Sequence, residues 1–355
     1  MILLRHITIA VLALIAFPLA LLSACHSDIL VGAYYYDGWS GSNSCTDGWA
    51  EGAPRMLTRK MKFEYPEREP IWGWRDDDIS IMEEQIDLAS KNGIDFFAFC
   101  WYWSDDMGSF NEEAVKSNPR HTSLNLFLKA KNKNKMKFCI MIANHNGAII
   151  QGMENWRKAI DYFSENYFTE SQYLSFDNKP VVIYFMPQQA QPFLLSMQEV
   201  AKNNGFDGIY TMSCGSNLPV YDALTWYNSF EGSNKSEAHE YSQLFTYVES
   251  RWGIIPDSIV VNPLCSVGWD RRPWESKENT VYYIKKKPKL FRNHLKNAVD
   301  YLLTSENPHP VIMIYAWNEM GEGGYLVPTK GDPKGKYLKQ VNYAKRYANK
   351  QVRRN

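Results

Sequence analysis

Eight apolar runs of strand length, separated by segments of helical period, constrain this chain more than any other feature. They are Leu30–Tyr36, Ile94–Tyr102, Lys137–Asn144, Val181–Met186, Gly208–Ser213, Leu224–Ser229, Ile259–Pro263 and Val311–Trp317. Most are apolar at nearly every position rather than at alternate ones, the pattern of parallel strands covered on both faces by helices. Helical periodicity follows over Ile79–Lys91, Glu154–Phe168, Gln191–Asn203, Ser236–Trp252, Leu290–Leu303 and Gly335–Lys350. Ile79–Lys91 opens after Asp76-Asp77-Asp78, which offers N-caps, and stops at Asn92-Gly93. About eight helices alternating with eight strands predict an α/β fold, a single (β/α)8 TIM barrel over residues 30–355. An open doubly wound sheet is the rival, but no glycine-rich phosphate loop follows the first strand. Long loops at Asp37–Trp74, Ser104–His121 and Leu264–Lys289 follow strands one, two and seven. They therefore fall on the carboxyl face, where barrels place their chemistry.

The 355 residues are 45% hydrophobic and balance 39 basic against 39 acidic side chains, so nothing electrostatic points to a nucleic-acid partner. Lys285-Lys286-Lys287 reads as a solvated patch ahead of a helix. The first 24 residues read as a lipoprotein signal peptide: Arg5 and His6, an apolar run from Ile7 to Leu22, then Ser23-Ala24 before Cys25. Cys25 stands where a bacterial lipobox carries its lipidated cysteine, with 25–29 as the tether. That predicts a monomer held on the bacterial envelope, in the periplasm or at the cell surface, by a lipid anchor at Cys25. The other cysteines, Cys45, Cys100, Cys139, Cys214 and Cys265, are odd in number and no pair has metal-ligand spacing, so they argue for neither a disulfide framework nor a zinc site; no metal or other cofactor is expected.

The strand ends carry the chemistry. Strand one ends in Tyr34-Tyr35-Tyr36-Asp37, strand two in Trp101-Tyr102-Trp103 and strand three in Asn144-His145. Strand seven leads to Trp269-Asp270-Arg271-Arg272, and strand eight ends in Trp317-Asn318-Glu319, with Glu322 and Tyr325 beyond. Aromatic rings with Asp, Asn, His and Glu, and no nucleophilic Ser or Cys motif, suit a neutral, hydroxyl-rich ligand stacked on rings. Substrate contact is expected from Tyr35, Tyr36, Trp101, Tyr102, Asn144, His145, Asp270, Trp317, Asn318 and Tyr325. Packing is the competing reading for the tyrosines and tryptophans, a structural role for His145, and pairing with Arg271 or Arg272 for Asp270. Glu319 and Glu322 are the catalytic candidates. Glycosidic bonds are cleaved by two carboxyl groups, and two acids three residues apart repel, which leaves one protonated near neutrality. The bland alternative is a loop carrying two solvated acids.

The ending AWNEMGEGGYLVPT, followed by GDPKGKYL, resembles the terminal signature of the glycosyltransferase WbsX-like proteins, relatives of glycoside hydrolase family 99 with its endo-α-mannosidases. The family pattern Asn-Glu-Trp-x-Glu-Gly is matched by Asn318 to Gly323, with Met320 where Trp is common. YYYDGW, QIDLASKNGIDFFAFCWYW and GWDRRPW are similar to further blocks of the family, which extends the resemblance over about residues 30–345. It implies a (β/α)8 barrel and retaining glycosidase chemistry, with Glu319 as base on the substrate's own 2-hydroxyl and Glu322 as general acid, then base. The expectation is a secreted, metal-independent lipoprotein glycoside hydrolase acting on a polysaccharide or glycan, with α-mannosides suggested by the resemblance. The alternatives are a carbohydrate-binding lipoprotein without turnover and a glycosyltransferase of surface polysaccharide assembly.

Overall fold

The computed structural model describes residues 28–39, 56–103, 108–145, 147–232 and 237–354. The signal segment, Cys25, most of the tether and Cys45 lie outside them. Eight parallel strands form the barrel: β1 Leu30–Tyr35, β2 Phe96–Trp101, β3 Lys137–Ala143, β4 Lys179–Phe185, β5 Tyr210–Cys214, β6 Ala223–Thr225, β7 Leu264–Ser266 and β8 Val311–Tyr315. Their order is β6-β5-β4-β3-β2-β1-β8-β7, and the single bridge between Leu224 and Val261 brings β6 to the chain entering β7. Leu224 N–H donates to Val260 O at 2.8 Å and Asn262 N–H to Leu224 O at 2.8 Å, so the ring closes.

The seventh strand departs from expectation for a clear reason. The apolar run ends at Pro263, which has no N–H to give a ladder, so the pairing with β8 starts one residue later, Leu264 opposite Met313. Strict alternation also fails once: residues 215–222, between β5 and β6, contain no helix. Elsewhere helices return the chain. The helices bearing on the site and its frame are α1 Ile79–Lys91, α2 Thr122–Lys129, α3 Met153–Phe163, α4 Leu194–Asn203, α5 Tyr241–Gly253, α6 Pro288–Thr304 and α7 Leu338–Val352. α1 starts where its cap dictates, Asp78 accepting from Ser80 N–H at 2.8 Å. α5 starts at Tyr241 rather than near Ser236 because Glu240 and Gln243 close a capping box there.

Strand burial is nearly complete, as the continuous runs require. Cys100, Cys139, Cys214 and Cys265 are free and buried. Burial pushes the Cys214 thiol up to about 12, so it stays an inert thiol. Among the described residues no helix is long and apolar enough to cross a membrane.

Candidate active site

Past β8 the chain makes a small hairpin, Asn318–Glu319 pairing antiparallel with Gly324–Tyr325, and the two acids sit on it and its turn. Gly323 holds φ +76, a conformation that costs a side chain, and a Cβ on Gly324 would come within 2.2 Å of the Tyr315 ring. The glycines therefore let the turn lie flat against an aromatic floor.

The cavity beside this turn measures about 470 Å³, within the usual range of small-molecule sites. Tyr36, Tyr102, His145, Glu319 and Glu322 line it, as the sequence suggests. So do Tyr227, Asn228, Phe230, Trp269, Arg271 and Trp274, with Met56, Met141, Ala143 and Phe185 completing the wall. Phe230 and Trp269 stack at 4.1 Å, an apolar platform suited to the face of a sugar ring.

Several expected contacts turn away, and the two-residue alternation of extended chain explains most of them. Tyr36 faces the cavity, whereas Tyr35 points into the helix layer, its ring 4.9 Å from Phe99. Tyr102 faces in, whereas Trp101 stacks on His121 at 5.2 Å and meets Phe163 edge-on at 4.9 Å. Trp317 lies behind Glu319 and donates to Gln85 at 2.6 Å. Asp270 points away between Trp269 and Arg271, into an ion pair with Arg68 at 2.5 Å and Arg272 at 2.8 Å. Asn144 accepts from Ile150 N–H at 2.8 Å and donates to Gln189 at 2.9 Å, which shapes the loop after β3. Asn318 clasps the Tyr36 main chain, accepting from its N–H at 2.8 Å and donating to its O at 2.6 Å. Tyr325 sits at the hairpin base against the Lys286 ammonium, 5.1 Å from its ring centre. These seven are supports or packing residues; Asn318 still serves the site by fixing Tyr36.

His121 does similar work for Tyr102, accepting from its N–H at 3.0 Å. Burial lowers His121 to about 4, so it stays neutral, and its Nδ1 donates to Val115 O at 3.0 Å.

Each acid is held by one tyrosine. The Tyr227 hydroxyl donates to Glu319 Oε1, and the Tyr315 hydroxyl donates to Glu322 Oε2. Arg271 Nε lies 3.3 Å from Glu322 Oε1, its guanidinium also reaching Glu275 at 2.9 Å. Glu319 Oε2 is buried without a partner, an oxygen left for something that enters the cavity. Burial pushes Glu319 well above the ordinary carboxylate range and the Glu322 charge adds to this, against the Tyr227 hydrogen bond and Arg271. Burial also raises Glu322, while Tyr315 and Arg271 hold it down. Both carboxyls are thus raised, and burial together with their mutual repulsion disfavours full ionisation of the pair. Among the described residues no group of His, Cys, Asp and Glu could hold a metal ion.

Fold and site define a class: a (β/α)8 barrel with two carboxyls of one turn at the carboxyl ends of its strands, lining an aromatic cavity. The sequence matches the family described as Glycosyltransferase WbsX over residues 66–341, and the chain belongs to that family. No curated protein matches it. Among solved structures it is similar in fold to the GH99 endo-alpha-mannosidase from Bacteroides thetaiotaomicron, with TM-score 0.63 and 15% identity over 92% of this chain and 98% of that one. The same enzyme in complex with BIS-TRIS-propane gives TM-score 0.63 and 16% identity over the same shares. A protein described as glycoside hydrolase-like follows, with TM-score 0.60 and 15% identity over 90% and 94%.

Proposed function

We propose that the protein is a retaining glycoside hydrolase in which Glu319 and Glu322 act as base and general acid/base on an α-mannoside-like glycan. One observation carries the reading: two carboxyls of one turn line an aromatic cavity, and the buried Glu319 leaves its Oε2 unpartnered. In the first step the substrate 2-hydroxyl gives its proton to Glu319 Oε2 and its oxygen closes on the anomeric carbon. The glycosidic bond breaks and the leaving oxygen takes the proton of Glu322. In the second, Glu322 takes a proton from water, the water oxygen opens the anhydro ring, and the 2-oxygen recovers its proton from Glu319. Two inversions give net retention. A 2-hydroxyl trans to the leaving group, as in α-mannosides, is the geometry that allows this.

These roles need a proton on Glu322 and none on Glu319 in the complex. Substrate itself favours that arrangement. A 2-hydroxyl donating to Glu319 Oε2 stabilises that anion, and a glycosidic oxygen accepting from Glu322 favours the proton there. The two tyrosines therefore have opposite effects. Tyr227→Phe removes a donor from Glu319, disfavours the reactive arrangement and lowers the whole pH–kcat/KM plateau. Tyr315→Phe removes a donor from Glu322, raises its pKa and moves the alkaline limb to higher pH. Identical pH profiles for the two variants contradict the assignment.

The decisive assay incubates the purified protein with yeast α-mannan and other glycans and follows product anomers by NMR. Retained products in water alone are expected; inverted products exclude the mechanism. The family description keeps one second reading alive, transfer from an activated sugar donor. Release that occurs only when a nucleotide sugar is added establishes transfer instead. The lipobox-like Leu22-Ser23-Ala24-Cys25 supports envelope anchoring through Cys25, which mass spectrometry of the mature N-terminus checks.

A further inference from the structure

The turn between the two acids lies on donors that come from outside the barrel. Arg68, in the excursion between β1 and α1, donates from Nη1 to Met320 O at 2.8 Å and to Asp270 O at 3.0 Å. Asp270 N–H donates to Glu322 O at 2.6 Å. Lys286 Nζ donates to Gly323 O at 3.1 Å. Three carbonyls of the turn are thus gripped from behind, while the acids project into the cavity in front. Arg68 is buried, and its charge is met by Asp270 at 2.5 Å. The Lys286 ammonium sits between the rings of Tyr325 and Tyr337, 5.1 and 5.2 Å from their centres. Each placement costs desolvation, and packing alone does not call for two cations aimed at one main-chain turn.

We infer that Arg68 and Lys286 are positioning residues that set the separation and aim of Glu319 and Glu322 by fixing the carbonyls of Met320 and Gly323. The inference rests on the proposed hydrolase reading. Burial, with the Arg68 charge close by, brings the Lys286 ammonium down to about 7, and both its forms retain an N–H to give to Gly323 O. The clamp therefore holds on either side of neutrality. Displacement of a catalytic group by about 1 Å costs on the order of 100-fold in rate, so kcat is where the loss appears.

The test compares Lys286→Met, Lys286→Arg and Arg68→Met in the full chain, with release of reducing ends from α-mannan as the assay. Lys286→Met should lower kcat by about 10- to 100-fold with KM within twofold, and Lys286→Arg should recover most of it. Hydrogen–deuterium exchange gives a readout free of turnover: amides of 318–326 should exchange faster in both Met variants, while β3 and β4 keep their protection. Unchanged exchange over 318–326 in Lys286→Met overturns the inference, as does a loss confined to KM. Should Glu319→Gln and Glu322→Gln keep full turnover, the hydrolase reading fails first; loss there with full activity in Lys286→Met removes the clamp alone.

Discussion

Glu319→Gln and Glu322→Gln should each yield folded protein whose turnover falls by about 100- to 10,000-fold while glycan binding persists. Glutamine keeps an oxygen for the tyrosine donor, so the cavity wall is preserved and only proton transfer is removed. In the proposed mechanism each acid acts mainly in the transition state, so the loss should fall on kcat rather than KM. Isothermal titration against a glycan that the wild type cleaves separates the two. A variant that still turns over at wild-type rate rejects the acid pair, and a wild type that binds without turnover identifies a carbohydrate-binding protein. The same substitution has a stability signature of fixed sign. Glu319 carries a folded-state pKa raised by burial and by Glu322. Such a group supports the fold fully below its unfolded pKa, roughly 4.3, and the support is lost as pH rises through the folded value. At neutral pH Glu319→Gln should therefore melt above the wild type, and the gap should close near pH 4. Function here is held against stability, as expected where a site keeps charge in a dry place.

The barrel is legible because its signal is redundant: eight apolar runs point to one architecture, and a misjudged boundary at Pro263 leaves the topology intact. The acid pair is legible because strand eight runs straight into it. The rest of the cavity is harder to read, for two physical reasons. Side-chain direction flips at every residue of an extended segment, so the right stretches yield the wrong neighbours. The sequence points to Tyr35, Trp101 and Asp270 as well as to their chain neighbours, but it is Tyr36, Tyr102, Trp269 and Arg271 that line the cavity. Counting alternate residues separates the two sets after strands one, two, three and seven. It does not do so around Glu319, where Trp317 two residues back turns to Gln85 and Glu322 three residues on lines the cavity. β6 poses the second difficulty. Its ladder is three residues long, and the following Trp226-Tyr227-Asn228 looks like more strand, although Tyr227 holds Glu319. Applying to strand six the aromatic-at-the-end rule used for strands one and two would have found it. Arg68 gave no local signal at all, because its partner Met320 lies 252 residues away.

Asp270→Ala should be the most damaging single change among the residues behind the turn. Asp270 is expected from the sequence to touch substrate, but its carboxylate meets two guanidiniums, and Arg68 is buried. Removing one member of a buried pair leaves the other charge stranded, at about 3–5 kcal/mol, or roughly 10 °C in Tm for a domain of this class. Burial alone would raise Asp270, but the Arg272 hydrogen bond, then the charges of Arg68 and Arg272, outweigh it and hold the carboxyl below its usual value. That stability is complete above the unfolded pKa, near 3.9, and is lost as pH falls through the folded one. The deficit of Asp270→Ala against the wild type should thus be full at pH 7 and shrink at the acid end, opposite to the sign for Glu319. Thermal melts from pH 2.5 to 7 measure both. Replacing the pair together, Arg68→Met with Asp270→Leu, should recover part of the melting temperature because the buried Arg68 charge is no longer stranded, while the partly exposed Arg272 can turn to water. Turnover should not recover with it: the Arg68 bond to Met320 O is gone, and the turn that carries both acids is free to shift. A double variant regaining stability and rate together would show that this ion pair serves the fold alone.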